Sequence, residues 1–213
     1  MKTTNRFVFL ALALTCTLPE PALAQKKGAD IVPGKRIGGV RIGYNTTTLA
    51  KLGKPATGDA AMQKEWMTWY STPPRDQPNA VPAELDIYAV LSPDGDGKDK
   101  GIEEARVTSS VFKISTGIST GSSFTRIKRA YPHVKLIKTY STKKSNGPIE
   151  IYDDVKRGIA FEIYRGRDGK AAAGQCSAII AHRPGSTADD GYLSLSGYLE
   201  GLSDRAEGGA SDR

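Results

Sequence analysis

Val40-Arg41-Ile42-Gly43-Tyr44-Asn45-Thr46-Thr47-Thr48-Leu49 is echoed further along by Ile118-Ser119-Thr120-Gly121-Ser122-Ser123-Phe124-Thr125-Arg126-Ile127. In both, a short strand or turn leads to a glycine, then polar residues, then an aliphatic residue at the same offset from the glycine. Leu52-Gly53-Lys54-Pro55 lies opposite Ala130-Tyr131-Pro132-His133, and each proline biases the residue before it out of the helical region. Later, Leu85-Asp86-Ile87-Tyr88-Ala89-Val90 corresponds to Ile159-Ala160-Phe161-Glu162-Ile163-Tyr164. The turn dipeptides Asp94-Gly95 and Asp168-Gly169 follow. A further apolar run then closes each half, at 102–107 and 176–181. A repeated order with changing loop lengths predicts a duplicated unit of roughly 75 residues, one copy over 36–110 and the other over 111–184.

Each unit reads as a glycine turn, a short helix and then strands. In the second, Ser122 is placed to cap the helix, and Phe124, Ile127 and Tyr131 form an i, i+3, i+7 stripe for the core. Arg126, Lys128 and Arg129 are left to project outward. Strands are expected near 149–152, 158–165 and 175–182, with a turn-rich stretch before them around Asn146-Gly147-Pro148. In the first unit Trp66-Met67-Thr68-Trp69-Tyr70 reads as a strand, and the Pro-rich segment 73–82 as an exposed loop. The expected fold class is α+β, with two similar repeats, each a short helical segment packed on antiparallel strands.

This order resembles the repeat of the β-lactamase-inhibitor-protein family and is similar to the small lipoproteins of the outer-membrane assembly machinery. Ile42-Gly43 would precede the helix, Leu52-Gly53-Lys54-Pro55 would end it, and the stretch from Trp66 to Tyr70 would lie on a strand. The resemblance covers residues 36–183 and departs at Tyr131, where the second copy lacks the glycine. It implies protein binding rather than catalysis and carries over no particular contact residue.

The N-terminus reads as a cleavable export signal. Lys2 and Arg6 precede an apolar run, Pro19 and Pro21 break it, and Ala22-Leu23-Ala24 supplies small residues before Gln25. Residues 1–24 would be removed and the protein would work in the periplasm or outside the cell. The run is too short to span a bilayer, and Ala13 and Thr15 do not suit lipidation at Cys16. Residues 25–35 read as a linker and 185–213 as a flexible tail, within which Leu195, Tyr198, Leu199 and Leu202 have helical spacing.

Little in the chain reads as catalysis. After the signal, Cys176 is the remaining cysteine, either a buried strand residue or the half of an intermolecular disulfide. His133 and His182 are the two histidines, and with one thiol they make a poor zinc set. Asp94-Gly95-Asp96-Gly97-Lys98-Asp99 fails the calcium-loop spacing at Lys98 and Asp99. The Gly/Ser-rich stretch 117–123 reads as a structural turn before a capped helix rather than an anion cradle. No nucleophile elbow occurs, and no carboxylate stands out as an acid or base. The expectation is therefore no enzyme, no metal and no cofactor, with an undetected hydrolase as a minor alternative.

Charge is the strongest lead. The formal net charge is +7, and between Glu104 and Glu150 no acidic residue interrupts a run of lysines and arginines that includes Arg106. The sequence expectation is an exported, non-enzymatic binding protein contacting a protein partner, with Trp66, Trp69 and Tyr70 as candidate contacts. Its alternative is an electrostatic binder of an anionic envelope polymer or lipid through Arg126, Lys128, Arg129, Lys135 and Lys138. Tyr131, Tyr140 and Tyr152 are interleaved with these cations, a pattern that also suits nucleic acid, but export disfavours that partner.

Overall fold

The computed structural model describes residues 30–61, 63–73, 75–91, 100–141, 147–166 and 174–188. Its main body is an antiparallel sheet of eight strands, β4 (Thr57–Ala61), β5 (Lys64–Tyr70), β6 (Glu84–Leu91), β7 (Lys100–Val107), β9 (Lys135–Ser141), β10 (Pro148–Asp154), β11 (Ile159–Tyr164) and β12 (Gln175–His182). The order is β4-β5-β6-β7-β12-β11-β10-β9, so each half is a meander and the last strands of the two halves meet at the centre. There Ile179 lies opposite Val107 and His182 opposite Glu104. A small second sheet has the order β3-β2-β1-β8, from β1 (Asp30–Val32), β2 (Arg36–Ile37), β3 (Val40–Arg41) and β8 (Lys113–Ile114). β1 falls within the stretch read as a linker, and its Ile31 is buried.

The expected α+β class is corrected by this architecture. Among the described residues there are two sheets with 12 strands and only two short helices. One is the 3-10 helix Thr46–Leu52 and the other is α1 (Phe124–Ala130), each seven residues long. Each buries one residue, Leu49 and Ile127 respectively. Segments this short cannot stand alone in water; they cap a β core rather than form a layer of it. The physical reason for the misjudgement is that cap, glycine and stripe mark where a helix begins, not how long it lasts.

The two openings nonetheless share their backbone in detail. Gly43 and Gly121 both adopt positive φ, 80° and 84°, where a side chain would be strained. The Gly43 N–H donates to the Ile102 carbonyl at 2.6 Å, and the Gly121 N–H to the Cys176 carbonyl at 2.8 Å. Two residues on, Asn45 and Ser123 cap the following helices through their side chains. Asn45 also bridges to Gly101 and Ser123 to Gln175. The cap of α1 is thus Ser123, one residue after the expected Ser122, whose hydroxyl instead accepts from the Ser119 N–H at 3.1 Å. The strands matched by sequence, β6 with β11 and β7 with β12, hold corresponding places in the order.

Both sheet faces are buried near the centre, but their chemistry differs. One face carries Met67, Ile87, Ala105, Val107, Ile159, Phe161, Ile163 and Ile179, and packs against the small sheet, Leu49 and Ile127 in one core cluster. Alternation sends the neighbouring residues to the other face, where Thr68, Asp86, Arg106, Glu162 and His182 are buried with Ile151, Ala160 and Ile180. The DG turns, the calcium-like segment, the signal and the C-terminal helical spacing lie outside the described residues.

Candidate functional site

Arg106 is the centre of the polar face. Its Nε and Nη2 donate to the two carboxylate oxygens of Glu162 at 2.7 and 2.8 Å. Its Nη1 donates to Asp86 at 2.7 Å and to Glu84 at 3.0 Å. The Thr68 hydroxyl donates to the remaining Asp86 oxygen at 2.7 Å, and the Tyr140 hydroxyl to Glu162. Strands β5, β6, β7, β9 and β11 are tied together through this network. Burial disfavours the Arg106 charge, but Glu162 and Asp86 outweigh it and hold the guanidinium ionised well above its ordinary range. Burial also pushes the Asp86 carboxyl up, against the opposing pull of Arg106 and Thr68. Tyr140 is raised by burial and by Glu162. A charge surrounded in this way is committed to the fold, so Arg106 leaves the surface run in which the sequence placed it.

The second polar group is His182 with Asp153, both fully enclosed. His182 Nδ1 lies 3.1 Å from the Arg183 carbonyl, which can only accept, so that nitrogen carries a proton. Nε2 lies 3.0 Å from the Asp153 Oδ1. The other Asp153 oxygen accepts from the Ala188 N–H at 3.0 Å. With both ring nitrogens engaged, no imidazole lone pair is free to activate a nucleophile. Cys176 is equally closed: it is 3% exposed, its thiol donates to the Ala178 carbonyl, and burial pushes it up. It is a free, buried strand residue, out of reach of an intermolecular disulfide. No group of three or more His, Cys, Asp or Glu among the described residues could hold a metal ion.

The predicted aromatic contacts do not share one surface. Trp66 and Trp69 are three apart on β5 and therefore face opposite ways. Trp66 stacks on Tyr88 with ring centroids 5.2 Å apart. Trp69 packs against the core and donates from its indole nitrogen to the Gly53 carbonyl at 3.2 Å. Tyr70, 42% exposed, is the open member of the three. Tyr131 stacks on Phe161, and Tyr152 packs on Phe124 while donating to Glu150. With Tyr140 hydrogen-bonded to Glu162, none of the three interleaved tyrosines is a free stacking platform.

The basic residues do lie along one connected stretch. Arg126, Lys128 and Arg129 are exposed on α1, which leads through residues 131–134 into β9 with Lys135 and Lys138. Lys135 is exposed and Lys138 half-buried. Lys128 places its ammonium 5.7 Å from the centre of the Phe124 ring, with Arg165 5.1 Å from the same centre. Arg126 reaches the Thr116 carbonyl at 3.5 Å. Among the described residues none of these five cations takes part in an ion pair, whereas Arg36, Lys100, Arg106, Arg157, Arg165 and Arg183 all do.

Sequence reasoning missed the Arg106 network and the His182–Asp153 pair. The available signal was a charge inside an apolar strand, as in Leu85-Asp86-Ile87 and Phe161-Glu162-Ile163, since such a charge is kept only when paired.

No family model matches the chain, and no curated protein matches it. Among solved structures the chain is similar to the crystal structure of the uncharacterized protein yfeY from Escherichia coli, at 15% identity and a TM-score of 0.32. The match covers 71% of this chain and 99% of that one. No helix among the described residues is long and apolar enough to cross a membrane.

Proposed function

We propose that this is an exported, non-enzymatic binding protein of the bacterial envelope or secreted fraction, which engages an acidic protein partner through the side built by α1 and β9. The observation that carries the reading is a comparison within the molecule. At the same offsets from Gly43 as Arg126, Lys128, Arg129, Lys135 and Lys138 have from Gly121, the first half has Thr48, Ala50, Lys51, Thr57 and Ala60. The two openings share backbone, caps and bridges, so the fold does not require five cations there. Cations that take part in no ion pair and that the fold does not require are what an anionic partner recognises. The engaged His182 and buried Cys176 support binding over hydrolysis, as does the resemblance to inhibitor proteins. The signal-like N-terminus supports export.

The test is capture from envelope extract by residues 25–213 at low and high salt. The same experiment is run with Arg126→Glu, Lys128→Glu, Arg129→Glu, after a thermal melt has shown that the variant folds. A protein captured by the native chain and lost by the variant, with weakening in salt, is the expected result. Equal capture by both forms at high salt would overturn the basic side as the site. Capture of lipid vesicles or cell-wall polymer in place of a protein would move the reading to the anionic-polymer alternative.

A further inference from the structure

We infer that the outer edge of β9 receives an extended acidic segment of the partner protein as an added strand. This rests on the proposed protein-binding function and specifies how the contact is made. Among the described residues, β9 has β10 on one side and no strand on the other. An edge strand presents a row of backbone donors and acceptors that another chain can complete. β9 is seven residues long, Lys135-Leu136-Ile137-Lys138-Thr139-Tyr140-Ser141, and contains no proline. Edge lysines ordinarily discourage pairing, because two like-charged edges repel. Here that repulsion excludes a second copy of β9 and leaves the edge open to a strand of opposite charge.

The side chains state which strand fits. Lys135 lies opposite Asp153 and Lys138 opposite Ile151, on the polar face of the sheet. The register shift between Ile151 and Tyr152 turns Leu136 to the other face, opposite Tyr152, where it is 50% exposed. A complementary strand therefore alternates, with carboxylates beside the two lysines and apolar residues on the face of Leu136. The opposite edge, β4, is Thr57-Gly58-Asp59-Ala60-Ala61 and has no cation. It lacks that complementarity, so the added strand should choose β9.

The probe is a labelled peptide alternating glutamate and valine, as long as β9, titrated into residues 25–213 and followed by fluorescence anisotropy. A second peptide carries N-methyl groups on every other amide, which preserves charge and side chains but removes the donors of one edge. The expected result is binding of the first peptide, weakened about tenfold or more by N-methylation. Lys135→Glu with Lys138→Glu should weaken it similarly while the melting curve stays cooperative. Hydrogen exchange at the β9 amides should slow in the complex. Equal binding of both peptides would overturn strand addition and leave charge recognition standing. Failure of the peptide to bind, with the α1-dependent capture intact, would do the same. If capture is also indifferent to charge reversal on α1, the underlying reading falls with it.

Discussion

Asp86 shares one guanidinium with two other carboxylates, Glu84 and Glu162. Burial raises its carboxyl above the ordinary 3.8, despite Arg106 and Thr68. A native value above the unfolded one means that the folded state holds the proton more tightly. The stability linked to that proton is fully present below the unfolded value and is lost as pH rises through the native one. Asp86→Asn removes the titration. Urea unfolding across a pH series should show the variant's stability relative to the native protein rising with pH from 3.8 up through the raised native value, and flat on either side of that interval. A flat difference throughout would show that Asp86 does not titrate against folding. The strand around Asp86 was legible from its apolar neighbours, because a charge between Leu85 and Ile87 still leaves a pleated, half-buried pattern. Its partners were not, since Arg106 reaches it across one strand boundary and reaches Glu162 from the far half of the chain.

Gly121 sets the geometry of the turn that launches α1. Its φ of +84° belongs to glycine, and a Cβ there would meet nothing within 4 Å. Gly121→Ala should therefore cost only backbone strain, about 1–2 kcal/mol, read from the shift of the urea midpoint at unchanged slope. An unchanged midpoint would mean that the turn can be rebuilt with negative φ. The glycine, the cap region and the stripe of Phe124, Ile127 and Tyr131 were readable because each is a local requirement of helix initiation. β9 was not. Leu136 and Ile137 are adjacent apolar residues where its register shifts, and such a pair breaks the period-two signal by which a strand is recognised. β4 was missed for a different reason, since Gly58, Asp59 and two alanines have little strand preference.

The two halves share one hydrophobic core, in which Met67, Ile87 and Val107 pack in the same cluster as Ile127, Phe161 and Ile179. β7 and β12 are hydrogen-bonded neighbours, so neither half keeps a complete sheet without the other. Thermal unfolding should consequently be a single cooperative transition, with calorimetric and van't Hoff enthalpies equal. Two separable transitions would show that the halves are independent domains. The sequence by itself determined the order of the halves, their shared opening at Gly43 and Gly121, most strands of the second half, and the concentration of positive charge between Glu104 and Glu150. These depend on residues close together in the chain and on a period that can be counted. Only the tertiary structure decided that strands outweigh helices, that Trp66 and Trp69 part to opposite faces, and that Arg106 belongs to the interior while Arg126, Lys128 and Arg129 stay outside. Each of those outcomes depends on which strand lies beside which. Pairing across the sheet is settled by burial and charge compensation between residues far apart in the sequence.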